Sequence, residues 1–283
     1  MRRACSHHVL ELRNDPRLRT YAAGRHAQSL GYIHFKKMSF KTEAIVLHAR
    51  TLRGADRVYD VLTPRDGKLS LVARGVAKSS SKMAGHLLPF THVRMMIGRV
   101  HKDHLAGVTT EHSYKKLRET WSDFILASSL VELIVRFNVP GQAAAQEFNM
   151  LRDTLSLLES DVLDARGKVL AGRIFLWKLM ALSGWRPNLD QCALCREPMD
   201  AAAFYEPIKG FLCSRHESIG IRLEAGMLTF LGAVLDDNDW LRIIEMAGTN
   251  GLQRQWFEVS QHYYQDIISH PLESTKLFNY VIA

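Results

Sequence analysis

Between Gln191 and His216 the chain reads QCALCREPMDAAAFYEPIKGFLCSRH, and Cys192, Cys195, Cys213 and His216 stand in it as Cys-x2-Cys, seventeen residues, then Cys-x2-His. A two-residue gap lets both side chains of a pair turn toward one point, and YEPIKGF, around Gly210, reads as a short hairpin that brings the pairs together. Four soft or borderline donors at tetrahedral spacing select zinc. Disulfide bonding is the alternative, but only Cys5 lies outside the cluster, and MRRACSHHVLELRNDP never reaches an apolar run that would read as a secretory signal. A reducing cytosol favours metal. Catalytic zinc keeps one position for water, whereas this set fills all four. The zinc is therefore expected to be structural, stabilising a loop over residues 190–218 with binding energy on the order of 10 kcal/mol coupled to local folding.

Charge divides the remaining chain. The net charge of +8 over 283 residues hides three regions: residues 1–37 at +6, residues 38–118 at +9 (fifteen Lys and Arg against six Asp and Glu), and residues 119–283 at −7. Local fields choose partners, so one region is suited to anions and the last is not. Residues 1–37 show no periodicity and precede a second methionine, Met38, where a strand pattern begins. They read as a flexible basic extension produced by an upstream start codon, with an Arg-rich, acid-poor targeting presequence as the alternative. No apolar run approaches the ~18 to 20 residues of a membrane span: FILASSLVELIV is interrupted by Glu132 and IFLWKLMALSGW by Lys178.

From Met38 the pattern is β. FKTEAIVLHAR is one strand; RVYDVLTP and KLSLVARGV flank PRDG, so Arg57 to Val76 reads as a hairpin; LLPFTHVRMMIGRV and HLAGVTTEHSY follow. Five short strands without an intervening helix predict a small barrel over 38–113, an OB-fold by preference. After Ser113 the pattern becomes helical: Tyr114 to Val139, residues 143–160, and residues 165–185, the last apolar enough to lie at a domain centre. Helices over 222–237, 239–246 and 252–270, and a short one through Leu277, close the chain. The expected class is multidomain α+β: a β-barrel, then a helical domain over 114–283 with the zinc loop inserted.

The barrel cations most suited to phosphate are Arg53, Arg57, Arg65, Lys68, Arg74, Lys78 and Lys82, and no acid occurs between Lys68 and Lys102. VARGVAKSSSKMAGHLLPF reads as a mobile cationic loop able to follow a DNA backbone. Aromatics are few, and Phe90 suits a core better than a base-stacking platform. Binding is thus expected to be mostly electrostatic, weakly selective and salt-dependent. There is no G-x-x-x-x-G-K-[ST], no grouping of Ser, His and Asp, and no arrangement that makes Asp56, Asp60, Asp66 and Asp103 a two-metal site. Asp236 to Asp239 read as a helix end. No enzyme activity is expected.

FKTEAIVL, GADRVYDVLTPRDGKLSLVARGVAKSSSK, LLPF, the Cys and His cluster and YYQDIISHPLESTKLF, in that order, resemble the RecO family of bacterial DNA repair proteins from Met38 onward. The resemblance places Gly67, Lys68, Arg74, Gly75, Lys78, Pro89 and Phe90 on the family's barrel motif and matches its zinc cluster. It implies an OB-fold that binds single- and double-stranded DNA and anneals complementary strands. It also implies action with RecR and RecF to load RecA onto strands coated by single-strand-binding protein, capture of that protein's acidic C-terminal tail, and a cytoplasmic location at the bacterial nucleoid. No motif places the tail pocket; Arg136, Arg173 and Lys178 are the cations beside the apolar helices. A zinc-stabilised OB-fold could instead serve an RNA-binding or ribosome-associated factor. A transcription regulator would need an exposed reading helix, and these helices are apolar and acidic.

Overall fold

The structure, a computed structural model, describes residues 38–99, 103–200, 202–249 and 252–267. The expected basic extension over 1–37 and the closing helix through Leu277 lie outside the described residues.

Five strands close into a barrel: β1 Met38–Arg53, β2 Asp56–Thr63, β3 Gly67–Ala73, β4 His92–Arg99 and β5 Asp103–His112, in the order β1-β2-β3-β5-β4. The pairs are antiparallel except β3 with β5, where Val72 lies parallel to His104. This is an OB-like barrel, as its sequence pattern predicts. β1 pairs with β4 along Met38 to Ile45 and with β2 along Ile45 to Arg53, and irregularities after Val46 and Thr51 let the long strand bend between them.

The run Ala44, Ile45, Val46, Leu47 is apolar at four successive positions because both faces of β1 are covered there. Ala44 and Val46 enter the barrel core with Tyr59, Val61, Leu71, Met95 and Ile97. Ile45 and Leu47 face outward and join Leu62 and Phe90 in the core of the helices. The segment from Arg74 to Thr91, expected to be a mobile loop, is instead a tethered chain of turns. Val76 and Leu87 are buried in the barrel core, and Phe90 N–H donates to the Val46 carbonyl at 2.9 Å. Phe90 is 2% exposed, at φ +72°, with its ring 5.5 Å from that of Phe124. It is a core residue.

The helices are α1 Trp121–Phe137, α2 Ala145–Glu159, α3 Ala165–Leu182, α4 Met227–Asp236, α5 Trp240–Thr249 and α6 Gln253–Ile267. α1 starts later than its apolar pattern suggests. Residues 116–118 form a 3-10 turn, Arg118 bonds the carbonyls of Pro89 and Ser113, and Thr120 then caps α1 by accepting from Asp123 N–H. α3 is the central helix: Ile174, Phe175, Trp177, Leu179 and Met180 are fully buried, and Trp177 Nε1 donates to Ser260 Oγ at 2.8 Å.

At the seam between barrel and helices, the β2–β3 turn meets the segment between α1 and α2. Ala144 N–H donates to the Pro64 carbonyl, and Gly67 bridges to Pro140. Gly67 has φ +61°, and a Cβ there would overlap the Gln142 carbonyl oxygen, so both conformation and space call for glycine. Between α3 and α4 lie three short strands, β6 Ala203–Glu206, β7 Gly210–Cys213 and β8 Ile221–Arg222, ordered β7-β6-β8. Among the described residues no helix is long and apolar enough to cross a membrane.

Candidate metal centre and nucleic-acid interface

Two tight turns present the four metal-ligand candidates. In the first, Arg196 N–H donates to the Cys192 carbonyl at 3.0 Å, Cys192 N–H to the Glu197 carbonyl at 2.9 Å, and Arg196 adopts φ +63°, so Cys192 and Cys195 point the same way. In the second, Cys213 ends β7 and His216 lies in the turn that follows, which Asp200 holds by accepting from Ser214 N–H and Oγ. Those bonds, the hydroxyl's foremost, keep the Asp200 carboxyl below its ordinary range. The hairpin turns through Ile208 at φ +76° and Gly210 at φ +99°, and Ala193 N–H to the Phe211 carbonyl ties the first turn to β7.

Together they bring all four donor atoms within 4.8 Å of one another. Cys192 Sγ and Cys213 Sγ each lie 3.5 Å from His216 Nδ1, and Cys195 Sγ lies 3.7 Å from Cys213 Sγ. That sulfur separation is well beyond the ~2.05 Å of a disulfide. Burial opposes ionisation of Cys192, but backbone hydrogen bonds from Cys195, Cys213 and Leu194 outweigh it and bring the thiol down to about 6. A thiolate is the ligand form of cysteine. The cluster could hold a metal ion, and it is the one group of three or more such residues found among the described residues.

The seven barrel cations do not form one surface. Arg53 pairs opposite Asp56, and Arg57 opposite Ala73, so Arg53, Arg57 and Arg74 share one end of the barrel. Ala77 N–H reaches the Ala55 carbonyl and Ser81 N–H that of Lys78, which sets Lys78 and Lys82 beside them. Asp56 at this end accepts from Gly75 N–H at 2.7 Å and stabilises the turn. Arg65 and Lys68 lie at the other end of β2, about 23 Å away at ~3.3 Å per residue. Lys68 Nζ donates to the Val135 carbonyl at 2.6 Å in the seam, and Arg57 to the carbonyls of Gly54 and Asp56. The side chains of Arg53, Arg65, Arg74, Lys78 and Lys82 are exposed and bond to no described residue.

Residues 38–113 match the family described as recombination protein O N terminal, and residues 118–276 match recombination protein O C terminal. The chain belongs to the recombination protein O family. Three curated relatives are each named DNA repair protein RecO. That of Syntrophus aciditrophicus is 28% identical over 172 residues, 60% of this chain and 65% of that protein. That of Bifidobacterium adolescentis is 23% identical over 249 residues, 85% and 99% of the two chains. That of Desulforudis audaxviator is 32% identical over 176 residues, 62% and 69%.

In this RecO-family chain the described barrel acids form no group of three or more metal ligands, and each is engaged by a neighbour. Asp60 accepts from Ser70 and pairs with Arg50, while Asp66 and Asp103 both meet Arg99. The helical cations are engaged too: Arg136 pairs with Glu132, and Lys178 donates to the carbonyls of Leu235 and Asp237. Arg173 stacks 3.8 Å from the Phe257 ring centroid, and burial lowers its guanidinium to about 10. Asp236 pairs with Arg186, and Asp239 accepts from Arg242 N–H at the start of α5, as a helix boundary would. Sequence reasoning missed the turn-capping role of Asp56. Only the pairing of β1, β2 and β3, not any motif, reveals it.

Proposed function

We propose that this chain acts in DNA repair and recombination by holding single- and double-stranded DNA on the barrel end formed by Arg53, Arg57, Arg74, Lys78 and Lys82. There it anneals complementary strands without nucleotide hydrolysis. The observation that carries the reading is the gathering there of four exposed cations, Arg53, Arg74, Lys78 and Lys82, around the half-buried Arg57, with the acid beside them, Asp56, turned to a backbone amide. Neutralising phosphates releases counterions and lowers repulsion between strands, while base pairing supplies the driving energy. No catalytic group is needed. Family membership extends the reading to cooperation with RecR and RecF in loading RecA onto strands coated by single-strand-binding protein, whose acidic tail would meet the helical domain. It also extends it to a cytoplasmic location at the nucleoid.

Cys192, Cys195, Cys213 and His216 would hold zinc. Three of the six donor separations, 3.5 to 3.7 Å, are close to the edge of about 3.8 Å expected for ~2.3 Å metal–sulfur bonds, and all four donors lie within 4.8 Å of one another. With four protein donors such an ion would supply cohesion to the loop and leave no position for a reacting water.

The test is annealing of complementary oligonucleotides coated with single-strand-binding protein, without nucleotide, across a salt series. Annealing should be fast and fall as salt rises. Arg74→Ala, Lys78→Ala and Lys82→Ala together should flatten the salt dependence of single-strand binding by ~0.7 per lost phosphate contact. An unchanged slope would move the binding surface elsewhere. Absence of annealing with retained binding to structured RNA would replace repair by an RNA-binding role.

A further inference from the structure

A second cationic feature lies at the opposite end of the barrel. The outward face of β1 that buries Ile45 and Leu47 against the helices continues, at Glu43 and Lys41, past the edge of α2. There it forms one wall of an open cleft of about 340 Å³. Arg94, directly across from Glu43 on β4, shares that wall. Phe148 and Arg152, one turn apart on α2, form the other, and Arg65 on the β2–β3 turn closes the end. The Ala144 to Pro64 hydrogen bond pins that turn to the start of α2, so three rigid elements carry the cations.

The charge balance in the cleft is four cations to one acid. Glu43 is held by His92 Nε2 at 3.3 Å, Arg94 is steadied by Glu111 and Arg152 by Asp153, both acids outside the cleft lining. Lys41 and Arg65 are exposed and bond to no described residue. The lining is polar apart from Phe148 and Pro64, so it lacks the apolar floor that an acidic peptide with large side chains would need. It suits a phosphate chain, whose groups take charge-assisted hydrogen bonds from arginine.

We propose that this cleft is a second phosphate-backbone site, which holds a second nucleic-acid strand while the Arg74 end holds the first; the proposal rests on the DNA-binding reading above. Separation is the physical advantage. At about 23 Å the two ends lie more than twice the ~8 Å screening length of physiological salt apart, so a strand at one end scarcely repels a strand at the other. Two strands on one chain then meet at the high effective concentration of tethered reactants.

The probe is a thymidylate tetranucleotide, too short to reach both ends and unable to pair with itself. Strands bound per chain are counted by native mass spectrometry, alongside annealing rates. The full chain should bind two. Lys41→Gln, Arg65→Gln and Arg152→Gln together should leave one, with first-site affinity within about twofold and annealing slowed at least fivefold. Arg65→Gln alone, in an exposed turn, should weaken the second binding event several-fold, which keeps the test decisive if the triple variant melts early. One strand on the unaltered chain, two on the triple variant, or none on a folded triple variant would each overturn the second site. So would displacement of the second strand by inorganic phosphate at equal phosphate concentration, or loss of acidic-peptide binding alone in the variant. If the unaltered chain binds no strand, the DNA-binding reading itself falls.

Discussion

The barrel and the Cys192 to His216 loop are both small β structures of this chain, and they differ in how much apolar interior each encloses. The barrel closes its hydrogen-bond ladder on itself and fills its interior with twelve buried residues, from Ala44 to Leu105. The loop has an inner cluster of four, Cys192, Phe204, Leu212 and Cys213, two of which are metal-ligand candidates. β6 and β7 alternate: Phe204 and Leu212 face the sulfurs, while Tyr205 and Phe211 face the helices. A closed sheet with a filled core is stable through area removed from water. Four residues supply little of that, and a metal ion held by Cys192, Cys195, Cys213 and His216 would add cohesion on the face where apolar surface is short.

The comparison is sharpest at the metal. Cys192→Ala, or chelation of the native chain, should abolish stoichiometric zinc and remove amide-exchange protection over residues 191–216, a local loss on the order of 10 kcal/mol. Barrel amides should stay protected; loss of protection in both regions would show that they are not held independently. Next in size, Phe90→Ala should cost about 3 to 5 kcal/mol, because the ring joins the barrel to the core around Phe124 while the positive φ remains. Denaturant unfolding would read this, and a loss below about 1 kcal/mol would mean that the seam closes without it. Gly67→Ala should cost at least about 2 kcal/mol through its left-handed backbone and the overlap with Gln142. A neutral result would show the seam to be yielding.

The smallest effect concerns pH. Burial holds His92 below the ordinary imidazole range, against the opposing pull of the Glu43 hydrogen bond. With its folded pKa below its unfolded one, the unfolded chain takes up the proton first as pH falls below about 6.5, so stability is lost across that window. His92→Gln should reduce the stability lost between pH 7 and 5 by up to ~1 kcal/mol. An identical pH profile would place that loss on other groups.

The β2–β3 hairpin was legible because PRDG is turn chemistry at the right spacing, and the ligand set because Cys-x2-Cys and Cys-x2-His are local devices. The central place of α3 followed from its density of apolar residues. The start of α1 was not legible, since Arg118 bonds to carbonyls twenty-nine and five residues away in place of a helical turn. Nor was the tethering of the Arg74 to Thr91 segment, where scattered Val76 and Leu87 become anchors only once the barrel exists.

Sequence alone determined the five barrel strands and most of the helices among the described residues, which four side chains could meet a metal, and that positive charge concentrates in the barrel. These rest on period and spacing over a few residues. Tertiary structure decided which cations act together: it set Arg53, Arg57, Arg74, Lys78 and Lys82 at one end, buried the Lys68 hydrogen bond in the seam, and brought Arg65 beside Lys41, Arg94 and Arg152. Barrel closure and the docking of α2 place residues far apart in the chain side by side, and no local pattern encodes that register.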